Sequence, residues 1–446
     1  MLGMIAKKLV RSDFSRNTAV IMLGTVFAQF LLIGATPWLS RLYAPEAFGL
    51  YGVFVGAATL LGYVMTLRYT NAIMLADGTE LAWSVVRLCA KLTAAVAALC
   101  LVLTFVAAAP LQRWLHLEGI GRGFWLLPVY GAILGLNESL FCWLNRNKAY
   151  RQIALNRIVT SCLTLATTVL WGYFRDRSAH GLIAGSLLGQ GLGTLLLFSL
   201  GRRFVSGSAS APGTQRLLVR QYKSFALYTL PSDLINILTN QLPVFLLNGL
   251  MKNPAAAGHY SMTNRVLGAP LVFVSSSISE VFRQRAADDY RQHGTCRPIF
   301  LKTTALLAVL GIVPFALIFL FGPQLFSWAL GAEWEQAGRY ARVLAPLFCL
   351  KFIVSPMTVT FFIAEKQRSD FYLHIAMLLL TALPFYIIHY YWGNASYALI
   401  GYSLSYSLIY LPYFYLSLRY THNPLQGPPA TAEPSPVDDG PKALML

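Results

Sequence analysis

The residues of this chain that could do chemistry are few, and they stand in unusual places. Glu138, Asp233, Arg265 and Lys351 lie inside long apolar runs, and Arg41, Arg68 and Glu280 lie at the ends of such runs. A charge within hydrocarbon is expensive unless it meets a partner or a watery cavity. One reading has Arg265 and Lys351 paired with acids such as Asp233 or Glu138, holding helices in register. The preferred reading has them lining a lumen. For Arg68 and Glu280, snorkelling to the membrane surface competes with function. Asp233 and Glu138 are also the carboxylates that a low-dielectric lumen could use for proton or cation coupling.

Polar neighbours extend the lumen reading. Asp233, Asn236 and Asn240 recur at spacings of three and four, which places them on one helix face with Pro243. Ser261, Arg265, Gly268, Ser275 and Ser279 form a second stripe; Lys351, Ser355 and Thr358 a third; Thr25, Gln29, Thr36 and Ser40 a fourth. Such stripes serve either helix–helix hydrogen bonding or a hydrated space where they converge. Pro231, Pro243, Pro270 and Pro356 each remove a backbone hydrogen bond and permit a bend. Gly181, Gly185, Gly189 and Gly193 make a flat seam for packing. Trp114, Trp328 and Trp334 fit interfacial anchors. Stacking on sugar rings is open to other aromatics without the sequence saying which.

Enzyme chemistry finds little support. No Gly-Lys dipeptide exists, which excludes a P-loop, and the seven histidines form no His-Glu-x-x-His. The six cysteines show no paired spacing, so neither a disulfide framework nor a metal site is expected. No catalytic residue and no cofactor are expected. Asn394-Ala395-Ser396 matches a glycosylation sequon and is read as accidental.

The elements that must position these residues follow from composition. Apolar residues make up 56% of the 446, charged ones only 12%, and mean hydropathy is +0.55. A soluble protein carries roughly twice that share of charge. Disorder, a coiled coil and nucleic-acid binding are excluded for the whole chain, and an all-α polytopic membrane protein remains. Apolar stretches predict twelve spans, near 18–40, 48–68, 84–109, 124–143, 154–174, 180–200, 225–250, 257–281, 300–321, 338–362, 371–391 and 395–417.

The net charge of +17 then reads as an orientation signal. With the N-terminus in the cytoplasm, 25 Lys/Arg fall inside and 8 outside; Arg265 and Lys351 lie within spans, completing the 35. Both termini are therefore expected inside. The expected organisation is a six-helix lobe over 1–200, a basic cytoplasmic linker over 201–223, a second six-helix lobe over 224–420 and a disordered tail over 421–446. Ala44–Tyr51 and Asn253–Tyr260 share Pro, Ala, Gly and Tyr at a constant offset, each opening the second span of its half. This points to a parallel repeat around a central cavity and to alternating access.

Arg41-Leu-x-x-Pro45-Glu46-x-Phe48-Gly49-Leu50-Tyr51 resembles the signature of Wzx-type oligosaccharide flippases, within the multidrug/oligosaccharidyl-lipid/polysaccharide exporter superfamily. So does Leu67-Arg68-Tyr69-x-x-Ala72-Ile73. Gly258-x-Tyr260 with Arg265-Val266-Leu267, Pro270 and Ser279-x-Val281-Phe282 is similar to the family's eighth helix, and Gly331-x-Glu333-Trp334 and Ser355-Pro356 extend the likeness over about 15 to 420. Thr70 departs from an acid common in the family. The resemblance implies transfer of an undecaprenyl-diphosphate-linked oligosaccharide from the inner to the outer leaflet of a bacterial inner membrane. It also implies a proton or sodium ion for coupling, membrane lipid as surroundings, and a polysaccharide polymerase and chain-length regulator as partners.

Arg41, Arg265 and Lys351, with Arg68, Asn236 and Asn240, are the expected substrate contacts, because guanidinium groups suit a diphosphate. A cation-coupled multidrug exporter, favoured by Glu138 and Asp233, is the alternative. A membrane glycan polymerase or ligase ranks last, because no long outer loop exists to house chemistry.

Overall fold

A computed structural model of the protein describes residues 24, 26–205, 214–364 and 366–422. The polar stretch 206–213, the tail from Asn423, Thr25 and most of the leading end of the first expected span lie outside the described residues, as do the side chains of Trp114 and Glu280.

The described chain is almost entirely helical. Among the described residues, six long helices occupy the first half: α1 (Val26–Leu42, with a turn at Ala35), α2 (Pro45–Thr66), α3 (Gly78–Val106), α4 (Leu126–Arg146), α5 (Tyr150–Phe174) and α6 (Ala179–Gly201). The second half holds α7 (Leu230–Asn248), α8 (Pro254–Pro270), α9 (Ser276–His293), α10 (Arg297–Leu330), α11 (Glu335–Val354), α12 (Gln367–Tyr391) and α13 (Ala395–Arg419). A helix coincides with every expected span. Among the described residues, eight helical segments are long and apolar enough to cross a membrane by length and composition. The expected spans outside that set include those of α7 and α8, whose polar stripes lower their hydropathy. The fold is that of a polytopic membrane protein.

Local chemistry explains the boundaries. Pro45 opens α2 and Pro254 opens α8, where a missing N–H costs nothing. Asn253 caps α8 by accepting the Ala256 N–H at 2.9 Å. Asn394 does the same for α13 by accepting from the Ser396 N–H at 2.8 Å, so the sequon asparagine serves as a helix cap. Helix breaks accompany three of the four singled-out prolines. A π-helical segment Phe225–Thr229 precedes Pro231, another (Leu271–Ser275) follows Pro270, and a 3-10 stretch (Ser355–Thr358) contains Pro356. Pro243 stays within an unbroken α7. The eighth expected span runs on through α9 to His293, a polar extension ended by Gly294 at φ 67°.

The glycine seam of α6 lies against α5. A Cβ on Gly185, Gly189 or Gly193 would strike Thr168, Thr164 or Thr160 in turn. By contrast α3, α10 and α12 show large apolar side chains outward, such as Phe105, Val309 and Leu383, and these face lipid.

The halves meet along α2. The two copies of the sequence repeat face each other: a Cβ on Gly49 would overlap the Pro254 carbonyl, and one on Gly258 the Pro45 carbonyl. Trp334 reinforces this end. It is fully buried, donates from Nε1 to the Ser40 carbonyl at 2.9 Å and packs edge-on against Phe48. Its expected role as an interfacial anchor is corrected, whereas Trp328 is 83% exposed as an anchor would be.

Candidate functional site

Two of the four polar stripes converge. Asp233, Asn236 and Asn240 of α7 and Lys351, Ser355 and Thr358 line one cavity of about 520 Å³, closed on its far side by α12 and α13. Lys351 donates from Nζ to Asn240 Oδ1 at 3.3 Å, and Asn240 Nδ2 donates to the Asn236 carbonyl at 2.8 Å. The stripe of α1 behaves otherwise. Thr36 bonds the Leu32 carbonyl one turn back in its own helix, and Ser40 bonds the Leu330 carbonyl, which ties α1 to α10. Ser275 likewise bonds the Phe352 carbonyl.

The expected ion pairs are not the ones that form. Asp233 pairs with Arg68, Nε to Oδ2 at 2.5 Å, across the two halves. Arg68 is only 13% exposed in its side chain and lies over the Tyr63 ring at 4.4 Å. The snorkelling reading of Arg68 is therefore corrected: its guanidinium turns inward. The backbone prepares this, because Leu67 (φ 46°) and Arg68 (φ 58°) both adopt the left-handed conformation that side-chain-bearing residues avoid. That turn ends α2 and aims Arg68 at α7. Glu138 lines a smaller neighbouring cavity of about 190 Å³ with Tyr63, Arg68 and Asn137.

Arg265 and Lys351 have no acid partner within salt-bridge distance among the described residues, which removes the register-pairing account for both. Arg265 is half-buried on α8, whose Ser261 faces Gly52 of α2. Arg41 lies exposed at the end of α1, apart from both cavities.

Sequence reasoning missed the far wall. Asp370 and His374, one turn apart on α12, face the cavity with Tyr406, Tyr410 and Tyr413 of α13. The Tyr413 hydroxyl donates to Asp370 Oδ1, His374 Nδ1 lies 3.7 Å from Oδ2, and the tyrosine rings follow one another at 5.6 and 6.4 Å. The tyrosine spacing of four and three was a readable signal. Asp370 stands just before the expected span 371–391, where a charge gives no sign of burial.

Helices in two halves around an internal polar cavity define a membrane transporter fold, and solved structures share it. An inward-facing multidrug resistance transporter of the MATE family, in the MOP superfamily, superposes with TM-score 0.69 at 16% identity, over 90% of this chain and 98% of that one. The lipid II flippase MurJ in an inward closed conformation gives 0.70 at 10% identity, over 91% and 87%. A MOP superfamily transporter from Pyrococcus furiosus, described by the reversed polarity of its binding pocket, gives 0.59 at 16%, over 93% and 97%. No curated protein matches the chain. Residues 38–339 match the model of the polysaccharide biosynthesis protein family, and the chain belongs to that family.

Proposed function

We propose that this protein is a flippase that carries an undecaprenyl-diphosphate-linked oligosaccharide from the cytoplasmic to the periplasmic leaflet of a bacterial inner membrane, for surface polysaccharide synthesis. It works by alternating access of two lobes, 1–200 and 224–420, with no covalent intermediate. The observation that carries this is the charge pairing. Asp233 is neutralised by Arg68, while Lys351, which lines the cavity, and Arg265 on α8 have no acid within salt-bridge distance among the described residues, an arrangement that suits an anionic cargo. Family membership and the fold shared with a lipid II flippase support the same reading.

The cation exporter is the second reading, supported by the MATE-like fold and the carboxylates Asp233, Glu138 and Asp370. In the flippase reading Glu138, beside Arg68, and Asp233 remain candidates for proton or sodium coupling, and a polymerase and chain-length regulator act downstream.

Leaflet-resolved detection of lipid-linked glycan tests the proposal. Cells lacking the protein should accumulate the glycan on the inner leaflet. Arg265→Ala should abolish outer-leaflet delivery with folded protein still abundant, and Arg265→Lys should still impair it, because an ammonium cannot make the two-pronged guanidinium contact. Normal delivery by a well-folded Arg265→Ala protein overturns the assignment.

A further inference from the structure

The cavity separates its charges by depth. Lys351 lies about 18 Å from the end of its span at Ile363, by 1.5 Å per residue, whereas Asp370 lies in the first turn of α12, about 5 Å from that same face. A cation thus stands near mid-membrane and a carboxylate near the mouth. Phe362 (58% exposed) and Phe371 (41% exposed) flank the Asp370 end and line the same space.

A flat apolar face, a carboxylate and amide groups within one pocket are the chemistry that recognises a sugar. The ring presents C–H groups to the aromatic face, and its hydroxyls donate to carboxylate and amide oxygens. Asp370 is fixed in place to accept them, since Tyr413 donates to Oδ1 and the buried tyrosines behind it form a rigid wall. Its Oδ2 lies 3.7 Å from His374 Nδ1. The volume of about 520 Å³ falls within the roughly 300–1,000 Å³ of small-molecule sites.

We propose that the Asp370–Phe371–Phe362 end of the cavity is the subsite for the lipid-proximal sugars, and that it selects uncharged sugars against acidic ones. This rests on the flippase reading and adds a division of labour. Lys351 and Arg265 take the diphosphate, and the mouth of the cavity reads the glycan. A uronic acid placed there would set its carboxylate directly against that of Asp370.

The test is binding to the purified full chain at neutral pH. Three probes are compared: bare undecaprenyl diphosphate, the same lipid bearing N-acetylglucosamine, and the same lipid bearing glucuronic acid. The neutral sugar should tighten binding over the bare lipid, and the acidic one should bind about tenfold or more weaker than the neutral one, the scale of a charged hydrogen bond lost. Asp370→Asn should bring the two sugars to within about threefold of each other. Phe371→Leu, which keeps bulk but removes the flat face, should weaken both sugar-bearing probes and leave the bare lipid unchanged. If the bare lipid binds but neither sugar changes affinity, or Asp370→Asn leaves discrimination intact, the subsite is wrong while the flippase reading stands. If no probe binds the wild-type chain, both fall.

Discussion

Arg68 is where a single side chain carries the most consequence. Its pair with Asp233 bridges the halves and is largely shielded, with side-chain exposures of 13% and 28%. Removing one member of a shielded pair costs about 3–5 kcal/mol, because the other charge is left stranded. That is enough to move a two-state equilibrium by more than about a hundredfold. Asp233→Asn or Arg68→Gln should therefore open this end of the molecule. Maleimide labelling of a cysteine at Ser232 should accelerate, and the swap of Arg68→Asp with Asp233→Arg should slow it again. Equal labelling rates in all four proteins would show that the pair latches nothing. The residue types were legible in the sequence, but their partners were not. Arg68 looked like a surface anchor because helix periodicity ends at Thr66, and the left-handed turn at Leu67–Arg68 leaves no periodic trace.

At the scale of elements, α2 and α8 form the most exacting contact. Their leading ends approach so closely that neither Gly49 nor Gly258 has room for a Cβ before the facing carbonyl. Overpacking of this kind costs about 1–3 kcal/mol where neighbours can yield, and a backbone carbonyl yields little. Gly49→Ala and Gly258→Ala should each disfavour closure at this end, with the double variant worse. The measure is faster labelling of a cysteine at Ala44, and unchanged labelling would contradict the packing argument. Here the sequence was informative, since the repeat around Gly49 and Gly258 was visible from offset alone. It could not say that the two copies touch. The α6 seam was readable for the same reason, as four glycines at fixed spacing have few other uses. The wall of Asp370 and the tyrosines escaped because a tyrosine stripe in a membrane helix resembles lipid-facing bulk until its neighbours are known.

Across the whole molecule the halves are joined at both ends of one rigid helix. Between those ends, a Cβ placed on Gly52 would lie 3.7 Å from the Ser261 Cβ, inside the roughly 3.5–4.5 Å that a disulfide spans. Gly52→Cys with Ser261→Cys, in a background without other cysteines, should cross-link on oxidation, stop glycan delivery and recover on reduction. Delivery that continues with cross-linking complete would exclude relative motion of the halves here. The two closures of α2 also differ in kind. At one end backbone meets backbone, a contact felt over an ångström or so and indifferent to charge. At the other a guanidinium meets a carboxylate, and any anion that reaches Arg68 competes with Asp233. Inorganic pyrophosphate should therefore quicken cysteine labelling beside Arg68 and leave labelling beside Gly49 unchanged; equal effects at both ends would refute the distinction. In the proposed flippase, admission is thus judged by charge and release by shape, so a cargo can carry the credential for entry and need none to leave.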